Sequence, residues 1–343
     1  MREAMLSTRL TRLLGISHPI LCGGLMHLAD ARYVAAVVNA GGMGFITALS
    51  FPDQSRFREE LRLCRELTAG LPFGVCLSVS RRKEANERLP RFVDTLLDEG
   101  VRIVETSGHS PDIIAPRLKA AGCIVIHKAP SVRFAQSAER IGVDAVTLVG
   151  IDGGGHPGMD IASSFAMAPL AAERLNIPFA LAGGIGTGRQ LLAALAVGAD
   201  GVLLGSRMLA SAEIWAHPDY KQQLLSLGER DTRLILSSFQ NNHRVLANET
   251  AQLLASMEAE RISEIDRYLP YMNGALTRRA YESGNMKEGL IDLGPAVTYV
   301  RALQTVEQIF DELLDDARSA GDRLRKLSAP DAAGHRARRE AKR

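Results

Sequence analysis

Short, continuous apolar segments recur along the chain between Pro19 and Ser206, and amphipathic stretches separate them. Continuous apolar runs are typical of strands that are buried on both faces of a sheet. The pattern predicts eight strands, at residues 19–24, 42–47, 73–79, 103–108, 124–129, 145–150, 179–184 and 201–206. The intervening stretches predict helices, among them residues 56–67, 89–99, 115–121, 132–141 and 189–197.

The junctions between these elements follow one formula, in which a helix ends at a glycine and a strand follows at once. Glycine is common there because the residue after a helix often adopts a left-handed conformation. The glycines in question are Gly41, Gly100, Gly122, Gly142 and Gly198. Alternating strands and helices indicate a parallel sheet with helical crossovers. We therefore predict an α/β fold, a (β/α)8 TIM barrel over residues 8–210, with an open doubly wound sheet as the alternative.

The pattern changes after the eighth predicted strand. Residues 211–295 read as helical and polar with no clear strand, which predicts a smaller helical subdomain that covers the barrel mouth. An amphipathic stretch at 296–317 predicts a closing helix, within a segment 296–320 that packs on the barrel. The basic segment 323–343 predicts a disordered, solvated tail, with nucleic-acid binding as the less favoured alternative.

Composition and charge narrow the function classes. The chain is 46% hydrophobic and 23% charged with a net charge of only +2, and aromatics are 5%, so we expect no nucleic-acid partner. No apolar run is long enough to span a membrane, and the first residues lack an apolar signal segment. The four cysteines lack metal-binding spacing, which predicts no metal and reduced thiols in a cytoplasmic protein.

Two glycine clusters follow the seventh and eighth predicted strands, at Gly183-Gly184 and at Gly205-Ser206. In TIM barrels these loops often bind phosphate, through backbone N–H groups near a helix N-terminus. Either cluster alone is equally compatible with a tight turn. Lys128, at the end of the fifth predicted strand, is costly to bury without a negative partner, unless it extends to the surface. Together with the glycine-rich wall at Gly23, these features favour a mononucleotide cofactor, FMN first.

A histidine lies within the glycine-rich turn 153–158, directly after the sixth predicted strand. Glycines such as Gly155 allow close approach to a flat ligand, and histidine exchanges protons near neutral pH. His156 is therefore the candidate catalytic residue, and a turn histidine bonded to backbone is the alternative. His127 precedes Lys128, so strand alternation predicts that it points away from the mouth.

The chain resembles the nitronate monooxygenase (2-nitropropane dioxygenase-like) family. The similar segments are Pro19-Ile20-x-x-Gly23-Gly24, Asn39-Ala40-Gly41-Gly42, Phe73-Gly74-Val75, Gly154-Gly155-His156-Pro157-Gly158, Ala182-Gly183-Gly184-Ile185 and Gly205-Ser206-Arg207. The resemblance implies an FMN-dependent (β/α)8 enzyme with a smaller helical domain. The same group includes NAD(P)H:quinone reductases and flavin-dependent enoyl-thioester reductases. The segments Val104-Glu105-Thr106 and Val125-Ile126-His127-Lys128, with Pro157 after the histidine, look closer to the quinone-reductase branch.

The resemblance also implies roles for individual residues. It makes His156 the active-site base or a hydrogen-bond partner of the substrate. It implies that the cofactor is bound by Gly23, Gly24, Leu25, Cys76, Lys128, Gly155, Gly183, Gly184, Gly205 and Ser206. Cys22 and Cys76 replace a glutamine and an asparagine that are common in the family and that hydrogen-bond the flavin's pyrimidine side.

The expected function is oxidation of alkyl nitronates with O2. The alternatives are an NAD(P)H:quinone reductase or an enoyl-thioester reductase that uses FMN, with NAD(P)H as co-substrate. A non-redox barrel that binds a phosphate-bearing ligand is a more remote alternative. The expected partner is a small-molecule substrate, and a homodimer is a candidate assembly.

Overall fold

A closed barrel of eight parallel strands forms the body of the protein, in a computed structural model that describes residues 6–328. The strands are β1 (Ile20–Cys22), β2 (Met43–Thr47), β3 (Gly74–Val79), β4 (Ile103–Gly108), β5 (Ile124–Ala129), β6 (Ala145–Val149), β7 (Phe179–Ala182) and β8 (Gly201–Leu204). They follow one another in chain order, and β8 pairs with β1, with Val202 opposite Ile20. The predicted TIM barrel is confirmed, and the open sheet is wrong because an open sheet leaves its edges unpaired.

A helix lies between each pair of successive strands. The connecting helices are α2 (Ala31–Asn39), α3 (Gln54–Leu67), α4 (Leu89–Asp98), α5 (Ala115–Ala120), α6 (Val132–Ile141), α7 (Ser164–Arg174) and α8 (Gly188–Ala196). Their apolar faces pack on the outward-facing strand residues, such as Val104 and Val125, in one large core cluster. The five helices named from the sequence all form, with bounds within two residues of those predicted.

A first short helix, α1 (Arg9–Leu14), closes the N-terminal end of the barrel. Leu10 and Leu14 belong to the same buried cluster as the inward-facing strand residues. Asp200, just before β8, holds this helix in place, because its carboxylate accepts two hydrogen bonds from Arg9, of 2.7 and 3.1 Å. Ligand access is therefore from the opposite end, where the strands end.

The segment 211–295 contains a β-hairpin, so the prediction of no clear strand there is wrong. Strands β9 (Thr232–Ile235) and β10 (His243–Leu246) pair antiparallel, among helices α9 (Pro218–Leu224), α10 (Glu249–Ala259) and α11 (Gly274–Ser283). The strands have four residues each, and their loop places Leu236 and Gln240 at positive φ without a glycine or proline to signal a turn. The hairpin and α10 share a small core of their own, which includes Ile235, Val245 and Leu254. The buried residues of α9 and α11 belong instead to the large core of the barrel. The status of segment 211–295 as a separate domain stays a prediction.

The closing helix, α12 (Val306–Ser328), begins later than predicted. Pro295 opens a short 3-10 helix instead, and α12 begins after Thr305, whose hydroxyl accepts the Gln308 N–H while the Gln308 side chain accepts the Thr305 N–H. Residues 323–328 of the predicted disordered tail are therefore helical, and the rest of that tail lies outside the described residues. Over residues 6–328, no helix is long and apolar enough to cross a membrane.

Candidate active site

A cavity of about 840 Å3, including its part open to solvent, lies at the C-terminal ends of the strands. The predicted cofactor-binding residues that line it are Gly23, Gly24, Leu25, Lys128, Gly183, Gly184, Gly205 and Ser206. Cys76 and Gly155 do not line the cavity. The structure thus brings residues from β1, β5, β7 and β8 to one concave surface.

The loops after β7 and β8 form one end of the cavity. Gly183 and Gly184 have φ values of +103° and +68°, a conformation that side chains with a Cβ rarely adopt. A Cβ on Gly205 would meet no atom within 4 Å, so this backbone faces open space. The Ser206 hydroxyl accepts a 2.8 Å hydrogen bond from the Gly294 N–H, which leaves its own hydrogen to donate. This end has the backbone access and the donor that a phosphate group needs.

A neighbouring part of the cavity, which we call the ring wall, consists of Gly23, Gly24, Leu25 and Lys128. Gly23 adjoins β8, because its N–H donates a 3.3 Å hydrogen bond to the Leu204 carbonyl. Lys128 Nζ lies 2.8 Å from Oε2 of Glu105, a β4 residue with no exposed surface. Burial would lower the pKa of Lys128, but its acidic neighbours, with the charge of Glu105 foremost, together outweigh burial and raise that pKa. Lys128 is therefore a partly buried cation with a partner inside the protein, since its side chain is only 18% exposed.

The two unusual cysteines occupy different environments. Cys76 points into the barrel beneath Gly24, where a Cβ on the glycine would lie 2.5 Å from the Cys76 Cβ. Cys22 points outward toward the core that includes Tyr33 of α2, so it does not face the cavity. Burial raises the pKa of each thiol to about 12, which keeps both protonated at neutral pH. The expectation that Cys22 stands at the flavin's pyrimidine side is therefore wrong, because strand alternation directs it toward the helices.

His156 lies at the rim of the cavity, held by the hairpin that the sequence did not reveal. Gly155 exchanges backbone hydrogen bonds of 2.9 and 2.7 Å with Arg244 of β10. The His156 ring stacks on that of His243, with centroids 4.1 Å apart and planes at 19°. His243 Nε2–H donates a 2.6 Å hydrogen bond to Asp292, whose side chain lines the cavity. The three side chains form one group, which we call the rim triad.

Electrostatics within the rim triad favour a neutral His156. The surrounding protein removes water from the ring and lowers its pKa, and the neighbouring His243 lowers it further, whereas Asp292 opposes this shift. His156 is an exposed residue, so water reaches the ring and limits the lowering of its pKa. For Asp292, burial opposes ionisation, but the charge and hydrogen bond of His243 outweigh it and lower the pKa. A neutral imidazole beside a carboxylate is suited to accept a proton.

Sequence reasoning missed His243, Asp292 and Glu105. The first two lie in a segment that reads as helical, where no glycine or strand signal marks them. Glu105 was visible as an acidic residue inside a continuous apolar strand, which is a signal of a buried charge with a partner. His127 points outward as predicted and lies 2.9 Å from the Thr106 hydroxyl. Among the described residues, no cluster of His, Cys, Asp and Glu side chains could hold a metal ion.

The fold and the cavity define a (β/α)8 barrel enzyme with its site at the C-terminal ends of the strands. The family model described as nitronate monooxygenase matches residues 7–316. The chain belongs to that family and is an oxidoreductase. The members of the family are, in general, flavin enzymes.

Relatives with different names share this fold or sequence. A Rhodococcus jostii protein named (3aS,4S,5R,7aS)-5-hydroxy-7a-methyl-1-oxo-octahydro-1H-indene-4-carboxyl-CoA dehydrogenase is 34% identical over 252 residues, which cover 73% of this chain and 68% of that protein. A probable nitronate monooxygenase of Staphylococcus saprophyticus is 28% identical, over 82% of this chain and 89% of that protein. FabK from Thermotoga maritima superposes with a TM-score of 0.86 at 30% identity, over 94% of this chain and all of that chain.

Proposed function

We propose that the protein is an FMN-dependent oxidoreductase that oxidises alkyl nitronates with O2. The observation that carries this proposal is the rim triad, which holds a neutral His156 beside a glycine-lined cavity that contains a partly buried cation. Family membership supports the reaction class, and relatives named probable nitronate monooxygenase support the substrate class. FMN, when bound, supplies the redox chemistry by accepting electrons from the substrate and passing them to O2.

The residues of the cavity fit FMN on structural grounds. Gly205 and Ser206 offer open backbone and a hydroxyl donor to the phosphate. Gly23 and Gly24 present no side chain to the cavity, so this part of the ring wall is backbone against which a flat ring can lie. Lys128 places a positive charge at this wall. The cavity thus offers an anion site at the loops after β7 and β8 and, beside it, a glycine-rich wall with a cation.

The chain's own chemistry then centres on His156. Its lowered pKa keeps the ring neutral near pH 7, so it hydrogen-bonds the nitro group of a nitronate, which is already deprotonated, or accepts the α-proton of the parent nitroalkane to give the nitronate. The stacking on His243 and the His243–Asp292 hydrogen bond fix the direction of the ring. A fixed orientation matters because a general base must lie within hydrogen-bond reach of the proton it removes.

Anaerobic mixing of the FMN-loaded protein tests the reaction. Bleaching of the flavin absorbance by an alkyl nitronate, with return of colour on admission of O2, is the expected result. Bleaching by NADH or NADPH alone, with no response to nitronates, would contradict nitronate oxidation and favour a reductase. A protein that stays colourless after incubation with FMN would contradict both and favour a non-redox barrel.

A second candidate is FMN-dependent chemistry on an acyl-CoA thioester. The observation that favours it is the 34% identity to a relative whose name specifies a carboxyl-CoA substrate, higher than the identity to the probable nitronate monooxygenases. The neutral His156 suits this chemistry equally, as the base for a hydroxyl proton. An acyl-CoA that bleaches the flavin where nitronates do not would establish this candidate. Quinone reduction is tested in the same anaerobic experiment. NAD(P)H is added first to bleach the flavin, and a quinone is then added to restore its absorbance.

Two expectations from the sequence extend the proposal. The four cysteines are all free and buried, which suits a reduced, cytoplasmic protein. A homodimer stays a prediction that analytical ultracentrifugation tests.

A further inference from the structure

Glu105 is a fully buried carboxylate directly behind the ring wall. Its Oε2 lies 2.8 Å from Lys128 Nζ and accepts a 3.3 Å hydrogen bond from the Gly24 N–H. Both of these partners line the cavity, although Glu105 itself has no exposed surface. Within the described residues, its second oxygen, Oε1, has no hydrogen-bond partner. A buried and incompletely paired carboxylate is costly, so its presence calls for a functional explanation.

The register of the barrel explains how Glu105 reaches this position. Cys76 of β3 stands opposite Glu105 of β4, and alternation directs both side chains into the barrel. On β5, Lys128 lies two residues after the inward-facing Ile126, so it also points inward. Cys76 is a neutral thiol here, because burial and then the charge of Glu105 raise its pKa to about 12. Of the three side chains Cys76, Glu105 and Lys128, only Glu105 and Lys128 therefore carry a charge.

We propose that Glu105 is a positioning residue for the FMN ring, acting through Lys128 and Gly24, an inference that rests on the proposed function. It fixes the Lys128 ammonium group and the Gly24 backbone in one arrangement. It also cancels the charge of Lys128, so a bound ring meets an ion pair and not a lone cation. Reduced FMN carries more negative charge than oxidised FMN, and a lone cation would stabilise the reduced form. Glu105 therefore keeps the midpoint potential of the flavin lower than Lys128 alone would.

The simpler explanation is that the ion pair only fills the barrel interior. Buried ion pairs often contribute little to stability compared with apolar residues of the same size, so their presence alone does not establish a role. A purely structural pair would affect thermal unfolding and leave the flavin potential where it was. A positioning role moves the potential, because charges in a low-dielectric interior act on each other over several ångströms.

The test measures the midpoint potential of FMN in Glu105→Gln, Lys128→Met and Glu99→Gln. Glutamine keeps an acceptor for the Gly24 N–H and removes only the charge. Glu99 is a matched control, since it is also buried and paired with basic residues, Arg58 at 2.8 Å and Arg62 at 2.9 Å, and it does not line the cavity. We expect a more positive potential in Glu105→Gln, a more negative one in Lys128→Met, and the wild-type value in Glu99→Gln.

The outcomes separate the inference from the function on which it rests. A wild-type protein that binds FMN, together with an unchanged potential in Glu105→Gln, overturns the inference and leaves the proposed function intact. Shifts of the same sign in Glu105→Gln and Lys128→Met overturn it as well. If Glu105→Gln does not fold, the midpoint potential of Lys128→Met decides between the two explanations. An unchanged potential in Lys128→Met shows that the ion pair does not act on the flavin ring. A wild-type protein that binds no FMN overturns the proposed function and the inference with it.

Discussion

The imidazole rings of His156 and His243 are stacked, with centroids 4.1 Å apart, although 86 residues of sequence and a subdomain boundary predicted at residue 211 separate them. One ring follows β6 of the barrel and the other begins β10 of the hairpin. The backbone pairing of Gly155 with Arg244 fixes this contact. The hairpin is therefore part of the candidate active site.

Replacement of His156 by alanine should reduce kcat by roughly 10²–10⁴-fold, the usual contribution of a general base. FMN should stay bound, because His156 does not line the cavity. Steady-state kinetics with the substrate identified by anaerobic mixing, together with the flavin content, measures both effects. His109→Ala is the control, since His109 is also an exposed histidine after a barrel strand but is not part of the rim triad. Full activity in His156→Ala would refute the role of the base.

Substitution of Asp292 and substitution of His243 should shift the pH dependence of kcat/KM in opposite directions. A histidine acts as a base only when neutral, so kcat/KM falls as the pH drops through its pKa. The pKa of His156 is lowered, which places this acid limb below the usual histidine value of about 6.5. Asp292→Asn removes a charge that raises this pKa, so the limb should move to still lower pH. His243→Phe removes a charge that lowers it, so the limb should move to higher pH.

NMR titration of the histidine resonances in the wild-type protein, Asp292→Asn and His243→Phe measures the same shifts in the pKa of His156 without any substrate. His109→Ala again serves as a control, which also helps to assign the spectrum. Shifts of one common sign, or none, would show that His243 and Asp292 do not set the protonation of His156.

The sequence predicted the barrel well because its signal is local. Continuous apolar strands and glycine junctions each lie within a few residues, and parallel strand ends must meet at one face of the barrel. Gly205 and Lys128 could thus be assigned to one cavity without knowledge of the structure. The rim triad could not be predicted, because it depends on contacts between His156, His243 and Asp292 that are remote in sequence. The hairpin that makes them has four-residue strands, too short to show a period.

Helix α12 packs closely on α8, on the outside of the barrel, and one glycine makes this contact possible. A Cβ on Gly188 would lie 1.8 Å from the Leu313 carbonyl oxygen. Gly188→Ala should therefore destabilise the protein by about 1–3 kcal/mol, the usual cost of overpacking a rigid contact. Urea unfolding measures this difference against Gly228→Ala, where the nearest atom is 3.8 Å from the new Cβ. Equal stability of the two variants would show that α12 is free to move away from α8.

Substitution of Gly205 tests whether the FMN phosphate binds at the loops after β7 and β8, which we call the anion end of the cavity. Because a Cβ there meets no protein atom within 4 Å, the side chain of Gly205→Val should occupy space in the cavity and not displace protein. We expect FMN affinity to fall by at least tenfold, since a group in the cavity competes with the phosphate for the backbone near Ser206. Titration of the apo-protein with FMN, followed by flavin fluorescence, measures the affinity, and inorganic phosphate as a competitor shows whether the anion end is involved. Gly228→Val is the control, and thermal unfolding of both variants checks the fold. Wild-type affinity in a folded Gly205→Val protein would mean that the phosphate binds elsewhere, and the assignment of this end of the cavity would fail.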